Sequence, residues 1–185
     1  MEDRQIIELY FERNPDAVDR SAEKYGGYCA RIARNILNNE QDAEECVNDA
    51  WLSAWNSIPP RRPEHLGAYL GKLTRSRAID RWRAQHREKR GGSTADLALD
   101  ELSEVLPSGD SPEGELLRKE LARTVNGFLA ALPETERSVF LCRYWYFEEI
   151  SQICERFGFS RSKVHSMLHR TRNKLKQFLQ KEELL

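Results

Sequence analysis

No apolar run in the 185-residue chain approaches the ~20 residues a bilayer span requires, so membrane insertion is not expected. The opening MEDRQIIELY lacks the basic start and long apolar centre of a secretion signal, which makes a cytoplasmic location the expectation. Cysteine is scarce: Cys29, Cys46, Cys142 and Cys154 are scattered without a close pair, which excludes a disulfide framework and reads as reduced thiols in or near cores. Of the four histidines only His165 and His169 share a helix face. Zinc would want further thiolate, imidazole or carboxylate ligands, so they read as polar-face residues and no metal or cofactor is expected. There is no phosphate-binding glycine loop, and YGGY is not one, so no nucleotide-driven step is expected. Strand pairs and sequence repeats are missing as well.

What the chain does contain is helical periodicity. Hydrophobic residues make up 39% and charged residues 32%, enough for packed cores under a charged surface. QIIELYFER begins a helix, and Tyr25, Tyr28, Cys29, Ile32, Ile36 and Leu37 follow at steps of three and four, closed by Asn38-Asn39. The next element, EQDAEECVNDAWLSAWNSI, carries acids in its first turns and a stripe of Val47, Trp51, Ala54, Trp55 and Ile58. PPRRPEH is a stiff basic loop, because its prolines remove donors and fix φ. LGAYLGKLTRSRAIDRWRAQHREKR returns to helix, with Leu66, Tyr69, Leu70, Leu73, Ile79 and Trp82 inside or at the margin. Gly, Ser, Pro and acids then suit a tether with a short amphipathic turn near Leu97 to Leu106. Helix resumes at Glu113, restarts after Pro133 and runs on to the C-terminal end.

The fold expected is all-α: two small helical bundles joined by a flexible acidic linker, at 1–90, 91–112 and 113–185. A net charge of −1 conceals how charge is distributed. Lys72 to Arg90 holds eight cations against two acids, whereas Asp96 to Glu120 holds eight acids against two cations. With a further basic block near the C-terminus, this suggests two nucleic-acid surfaces on two modules.

Every charged residue in FGFSRSKVHSMLHRTRNKLK, residues 157–176, is positive. The spacing around it fits a helix-turn-helix. Ile150, Ile153 and Phe157 form the buried stripe of a short first helix, Cys154 is small at the crossing, and Gly158 suits the turn. Phe159 plugs the core and Ser160 caps the second helix. Val164 and Leu168 anchor that helix, leaving Arg161, Ser162, Lys163, His165, Ser166 and His169 outward, with Met167 and Thr171 at the margin. Cations in a first turn oppose the helix dipole unless an anion approaches, as a duplex does when a recognition helix enters its major groove. Arg170, Arg172 and Lys174 can then meet phosphates.

With that motif placed, the chain resembles an extracytoplasmic-function sigma factor of bacterial RNA polymerase. ALPETERSVFLCRYWYF, with Arg143-Tyr144, and SKVHSMLHRTRNKL look like the family's fourth sigma domain. DAEECVNDAWLSAW is similar to its polymerase-docking helix and LTRSRAIDRWR to its promoter-melting helix. The resemblance implies partners: core RNA polymerase, through the β′ clamp helices and the β flap, promoter DNA, and room for an anti-sigma factor. It implies polymerase contacts at Asn48, Asp49, Trp51 and Leu52, although core packing competes for the tryptophans. It implies melted-strand contacts at Arg61 and Arg62, in a loop over 59–69 that captures a flipped base, and at Arg75, Ser76, Arg77, Arg81 and Arg83. Duplex contacts fall to Arg161, Ser162, Lys163, His165, Ser166, Met167, Arg170 and Lys174. Ser76 stands where the family commonly has asparagine and Met167 where many members have arginine, which favours apolar contact with thymine methyls.

Two other classes remain to be weighed. A stand-alone helix-turn-helix regulator has no reason to carry the basic helix 72–90. A nuclease could use Asp42, Glu44, Glu45 and Asp49 as a metal cluster, but acids opening a helix also suit its dipole and a docking face. A non-enzymatic specificity subunit, needing no catalytic residue, is the reading that fits both motif sets.

Overall fold

A computed structural model of the chain describes residues 1–85, 94–103, 105–106, 114–182 and 184, with backbone only at 114–118. The end of the basic run, at Arg87, Lys89 and Arg90, and much of the acidic linker lie outside these residues. All the regular elements described are helices, and they form two units, Met1–Gly91 and Gly92–Leu185.

The first unit comprises α1 (Asp3–Phe11), α2 (Asp16–Leu37), α3 (Glu40–Ser57) and α4 (Leu66–Gln85). Helices α2, α3 and α4 pack on one another, and α1 lies across α2 and α4. Their shared core holds Ile6, Tyr10, Ile32, Ile36, Ala50, Ala54, Ile58, Leu66 and Leu70, all fully or nearly fully buried. The stop between α2 and α3 is local chemistry. Asn38 takes the left-handed conformation at φ 52°, and the Asn39 side chain accepts from the Asp42 N–H, satisfying one of the donors a helix start leaves over. Helix α4 starts differently: the Leu66 N–H donates to Asp3 Oδ2 at 3.2 Å, so an acid of α1 caps it from a distance in sequence.

Tyr69, Leu73, Ile79 and Trp82 lie at the margin of α4, while Thr74 and Ala78 are buried instead. Gly67 and Gly71 of the same helix are needed because side chains of α2 approach closely. A Cβ at Gly67 would fall 2.6 Å from the Tyr25 ring, and one at Gly71 would fall 2.5 Å from the Tyr28 hydroxyl. Cys29 and Cys46 are buried in this unit, and burial, helped by nearby Asp49, pushes the Cys46 thiol up to about 11.

The second unit contains α5 (Thr94–Ser103), α6 (Gly114–Ala131), α7 (Glu134–Tyr144), α8 (Ile150–Phe157) and α9 (Arg161–Lys181). Helix α9 is its axis, touched by α6, α7 and α8. Val164, Leu168, Leu175 and Leu179 of α9 are buried with Val139, Phe140 and Ile153. Within the acidic linker, α5 docks on α7, burying Ala95 and Ala98. Between α7 and α8 the chain turns through Phe147, which is 1% exposed and left-handed at φ 53°. An aromatic residue there is strained, and the turn is held by core burial of its ring.

No helix among the described residues is long and apolar enough to cross a membrane.

Candidate nucleic-acid interface

In the second unit the helix-turn-helix forms as its spacing predicts. Gly158 ends α8 at φ 65°, and the N–H groups of Gly158 and Phe159 both donate to the Cys154 carbonyl, the latter at 3.0 Å. Ser160 then caps α9, its hydroxyl accepting from the Lys163 N–H at 3.2 Å. With the buried stripe of α9 turned inward, Arg161, Ser162, Lys163, His165, Ser166, His169 and Arg170 are all exposed. His165, Ser166, His169 and Arg170 line one shallow groove along the helix. These are charge-carrying and hydrogen-bonding groups of the kind that meet base edges and phosphates in a major groove.

Several details depart from the sequence expectation. Met167 is buried, at 9% exposure, because it continues the Val164–Thr171 stripe at helical spacing, so it faces the core and not a base. Phe159 is half-buried rather than a core plug: it stacks on Phe157 at 5.9 Å and carries the Lys163 ammonium 3.5 Å from its ring centroid. Of the first helix's stripe only Ile153 is fully buried, with Ile150 and Phe157 at its margin. Lys174 is exposed but lies 2.9 Å from Glu136. Arg172 is turned inward, 13% exposed, against Glu101.

The Arg143-Tyr144 pair belongs to the same inward cluster. Arg143 Nη2 donates to Glu101 Oε1 at 3.0 Å, while Tyr144 Oη and Arg172 Nη1 donate to Oε2 at 2.6 and 3.1 Å. Burial pushes the Glu101 carboxyl up, but these donors and charges outweigh it and hold it below the usual carboxylate range. Burial, with the Glu101 carboxylate, pushes the Tyr144 hydroxyl well up.

In the first unit a cleft of about 670 Å³ opens between α3, the proline loop and α4. Asp49, Leu52, Ser53 and Asn56 of α3 line one side, and Arg61, Tyr69 and Arg77 the other. Tyr69 donates to Ser57 at 2.8 Å, and Arg77 reaches Ser53 at 3.1 Å. The cleft brings together residues that sequence reasoning had split between polymerase and strand. Tyr69 ends the loop expected to capture a base, whereas Ser53 and Asn56 were missed as wall residues. The signal was present in the polar stripe Asp49, Ser53, Asn56 at steps of four and three on α3. Leu52 is 59% exposed, a large apolar side chain in water at the rim of the cleft. Asn48 and Asp49 are exposed beside it.

Trp51, by contrast, is 7% exposed and belongs to the core of the first unit, one turn beyond Val47 on the packed face. Trp55 sits half-buried, with Tyr10 at 6.2 Å and the Arg13 guanidinium 5.4 Å from its ring. The expected cationic track on α4 is only partly open. Ser76, Arg77 and Arg83 are exposed. Arg75 is half-buried, and burial draws its guanidinium down to about 10. Arg81 is held by Asp42 at 3.0 Å and Glu45 at 2.5 Å. In the loop, Arg62 pairs with Glu8 and lies 4.8 Å from the Phe11 ring centroid, whereas Arg61 faces the cleft.

Asp42 and Glu45 therefore serve as counter-ions to Arg81. Among the described residues no three His, Cys, Asp or Glu side chains come together as metal ligands.

Two family models match the chain. The model for Sigma-70 region 2 covers residues 22–88, and that for Sigma-70, region 4 covers residues 124–175. The first runs from within α2 to just past the end of α4, and the second spans the last part of α6 through most of α9. Against the curated proteins the chain finds no match.

Proposed function

Since the chain belongs to the extracytoplasmic-function sigma factors, transcription proteins that bind core RNA polymerase and promoter DNA, we propose that its two units divide promoter recognition between them. The second unit reads the upstream element as duplex, through the outward face of α9. The first unit docks on the polymerase and holds the melted strand of the proximal element.

The observation that carries this reading is the two-sidedness of α9. Its apolar stripe is buried, and Arg161, Ser162, Lys163, His165, Ser166 and Arg170 face water from the capped end onward. Cations at a helix N-terminus are unfavourable alone and favourable against phosphate. In the first unit the cleft supports capture of a single unpaired base. It offers Tyr69 for stacking and Arg61 and Arg77 for phosphate, the combination that suits an open strand. Ser76 and Arg83 extend that track, whereas Arg62, Arg75 and Arg81 reach the strand only by giving up their present surroundings. Asn48, Asp49 and exposed Leu52 form the face offered to the β′ clamp helices, and the second unit is the candidate for the β flap. An anti-sigma factor remains a candidate partner of either unit.

Melting on this reading uses no nucleotide hydrolysis; base stacking is exchanged for contacts with the protein. Arg161→Ala with Lys163→Ala should weaken binding to upstream promoter duplex about tenfold or more, since two phosphate or base contacts are lost. Binding to core polymerase should be unchanged, and gel-shift and polymerase pull-down titrations report the two separately. An equal loss of both would refute the division of labour.

A further inference from the structure

We propose that the face of the second unit covered by α5 is an exchange site, which an acidic amphipathic helix of a partner protein takes in place of α5. Arg143, Tyr144 and Arg172 all donate to the single carboxylate of Glu101. The arginine side chains are 4% and 13% exposed, so the site needs an acid whichever helix lies over it. A neutral occupant would leave two guanidiniums without a counter-charge in poorly hydrated surroundings. That requirement sets the chemistry of the partner.

Helix α5 is a weakly held occupant. It has ten residues, fewer than a helix needs to persist alone in water. Its buried face is Ala95 and Ala98, with Val105 just beyond, while Leu97 is 52% exposed and Leu99 and Leu102 are only half-buried. Little apolar area is sealed, so Glu101 carries much of the docking. Nor does Glu101 meet every donor. Buried Arg143 Nε has no acceptor among the described residues. An unmet buried donor is unfavourable, and a helix whose acid engages Nε and Nη2 together, in the fork geometry arginine favours, recovers that loss.

The pattern of α5 describes its competitor: small residues at i and i+3 and a carboxylate at i+6, as in Ala95, Ala98 and Glu101. Exchange has a route to function because Arg172 lies on α9 and Tyr144 ends α7, so the occupant touches the packing of the recognition helix.

The test uses the full chain and a fluorescent peptide of residues 94–106 added in trans, read by anisotropy. Ala98→Glu expels α5 while leaving every donor in place, and Glu101→Gln opens the site by a second route. The peptide should bind either variant about tenfold more tightly than the wild type, whose site is mostly filled. The wild type still takes the peptide at higher concentration, so a variant that fails to fold does not end the test. A peptide carrying Glu101→Gln should lose about tenfold in affinity for every chain. The proposal is overturned if the native peptide binds no chain, or if the two peptides bind alike. It is equally overturned if inorganic phosphate displaces the peptide, since the site then takes any anion. No DNA or polymerase enters the assay, so the proposal stands or falls apart from the promoter reading.

Discussion

Asp3 performs three tasks with one carboxylate: it accepts from Lys24 at 2.7 Å, from the Tyr25 hydroxyl at 2.5 Å, and from the N–H that opens α4. Burial pushes its carboxyl up, but the bonds from Lys24 and Tyr25 outweigh this and leave it below the usual value. The sign follows from linkage. A carboxyl with a depressed folded value adds stability above its unfolded value, near 4, and that stability is lost as pH falls through the folded value. Asp3→Asn should therefore lower the Tm of the first unit at pH 7 by about 4 °C. The gap from wild type should begin to close as pH falls below the unfolded value and vanish only once it has passed through the depressed folded value, below which both chains are neutral at this position. Thermal melts across that range, followed by circular dichroism, provide the check. Nothing in MEDRQ marks Asp3 as the cap of a helix that begins at Leu66. Arg62, Arg81 and Arg172 teach the same lesson from the other side, since their type suggested nucleic acid while acids distant in sequence hold them.

At the scale of the element, local rules serve well where the partners are close in sequence. Ser160 caps α9 and Gly158 turns the chain because both requirements are set within a few residues. A Cβ on Gly158 would meet nothing within 4 Å, so the penalty for Gly158→Ala is conformational alone. It should destabilise the second unit by about 1 kcal/mol, the difference between alanine and glycine in a left-handed backbone. Gly158→Asn should be milder, because asparagine tolerates that region better. Denaturant midpoints of the two variants measure both. Phe147 shows where local rules fail. It is left-handed without being glycine, since burying its ring in the core outweighs the backbone preference. Met167 fails for a related reason: it sat at the edge of a helical stripe, and only the neighbouring helices decide how wide the buried stripe is.

For the whole molecule the relevant quantity is where the charge lies rather than its sum of −1. Most basic residues on α9 and α4 face away from their cores, Arg172 and Arg75 being the exceptions, while the acids of α3 and α5 are partly spent on arginines of the same unit. Those left outward on α3, with Leu52, make a surface unlike either basic face. Asn48→Ala with Asp49→Ala should weaken core-polymerase binding about tenfold and leave upstream-duplex affinity within about twofold. Competition against a labelled sigma factor for core enzyme, beside a gel shift, would show it. A matching fall in duplex binding would mean that these residues support the fold and not a docking face.

The residues alone determined the all-helical class, the helix boundaries near Asn38-Asn39 and Ser160, the helix-turn-helix and the segregation of charge. Each of these depends on contacts within a few positions along the chain, and hydrophobic periodicity records such contacts directly. Only the tertiary structure decided which arginines stay open, that Asp49, Asn56, Arg61 and Tyr69 share one cleft, and that Glu101 closes over Arg143 and Arg172. Those outcomes depend on which helix faces which, and a side chain's charge is satisfied by whatever comes within a few ångströms, however far away it lies in sequence.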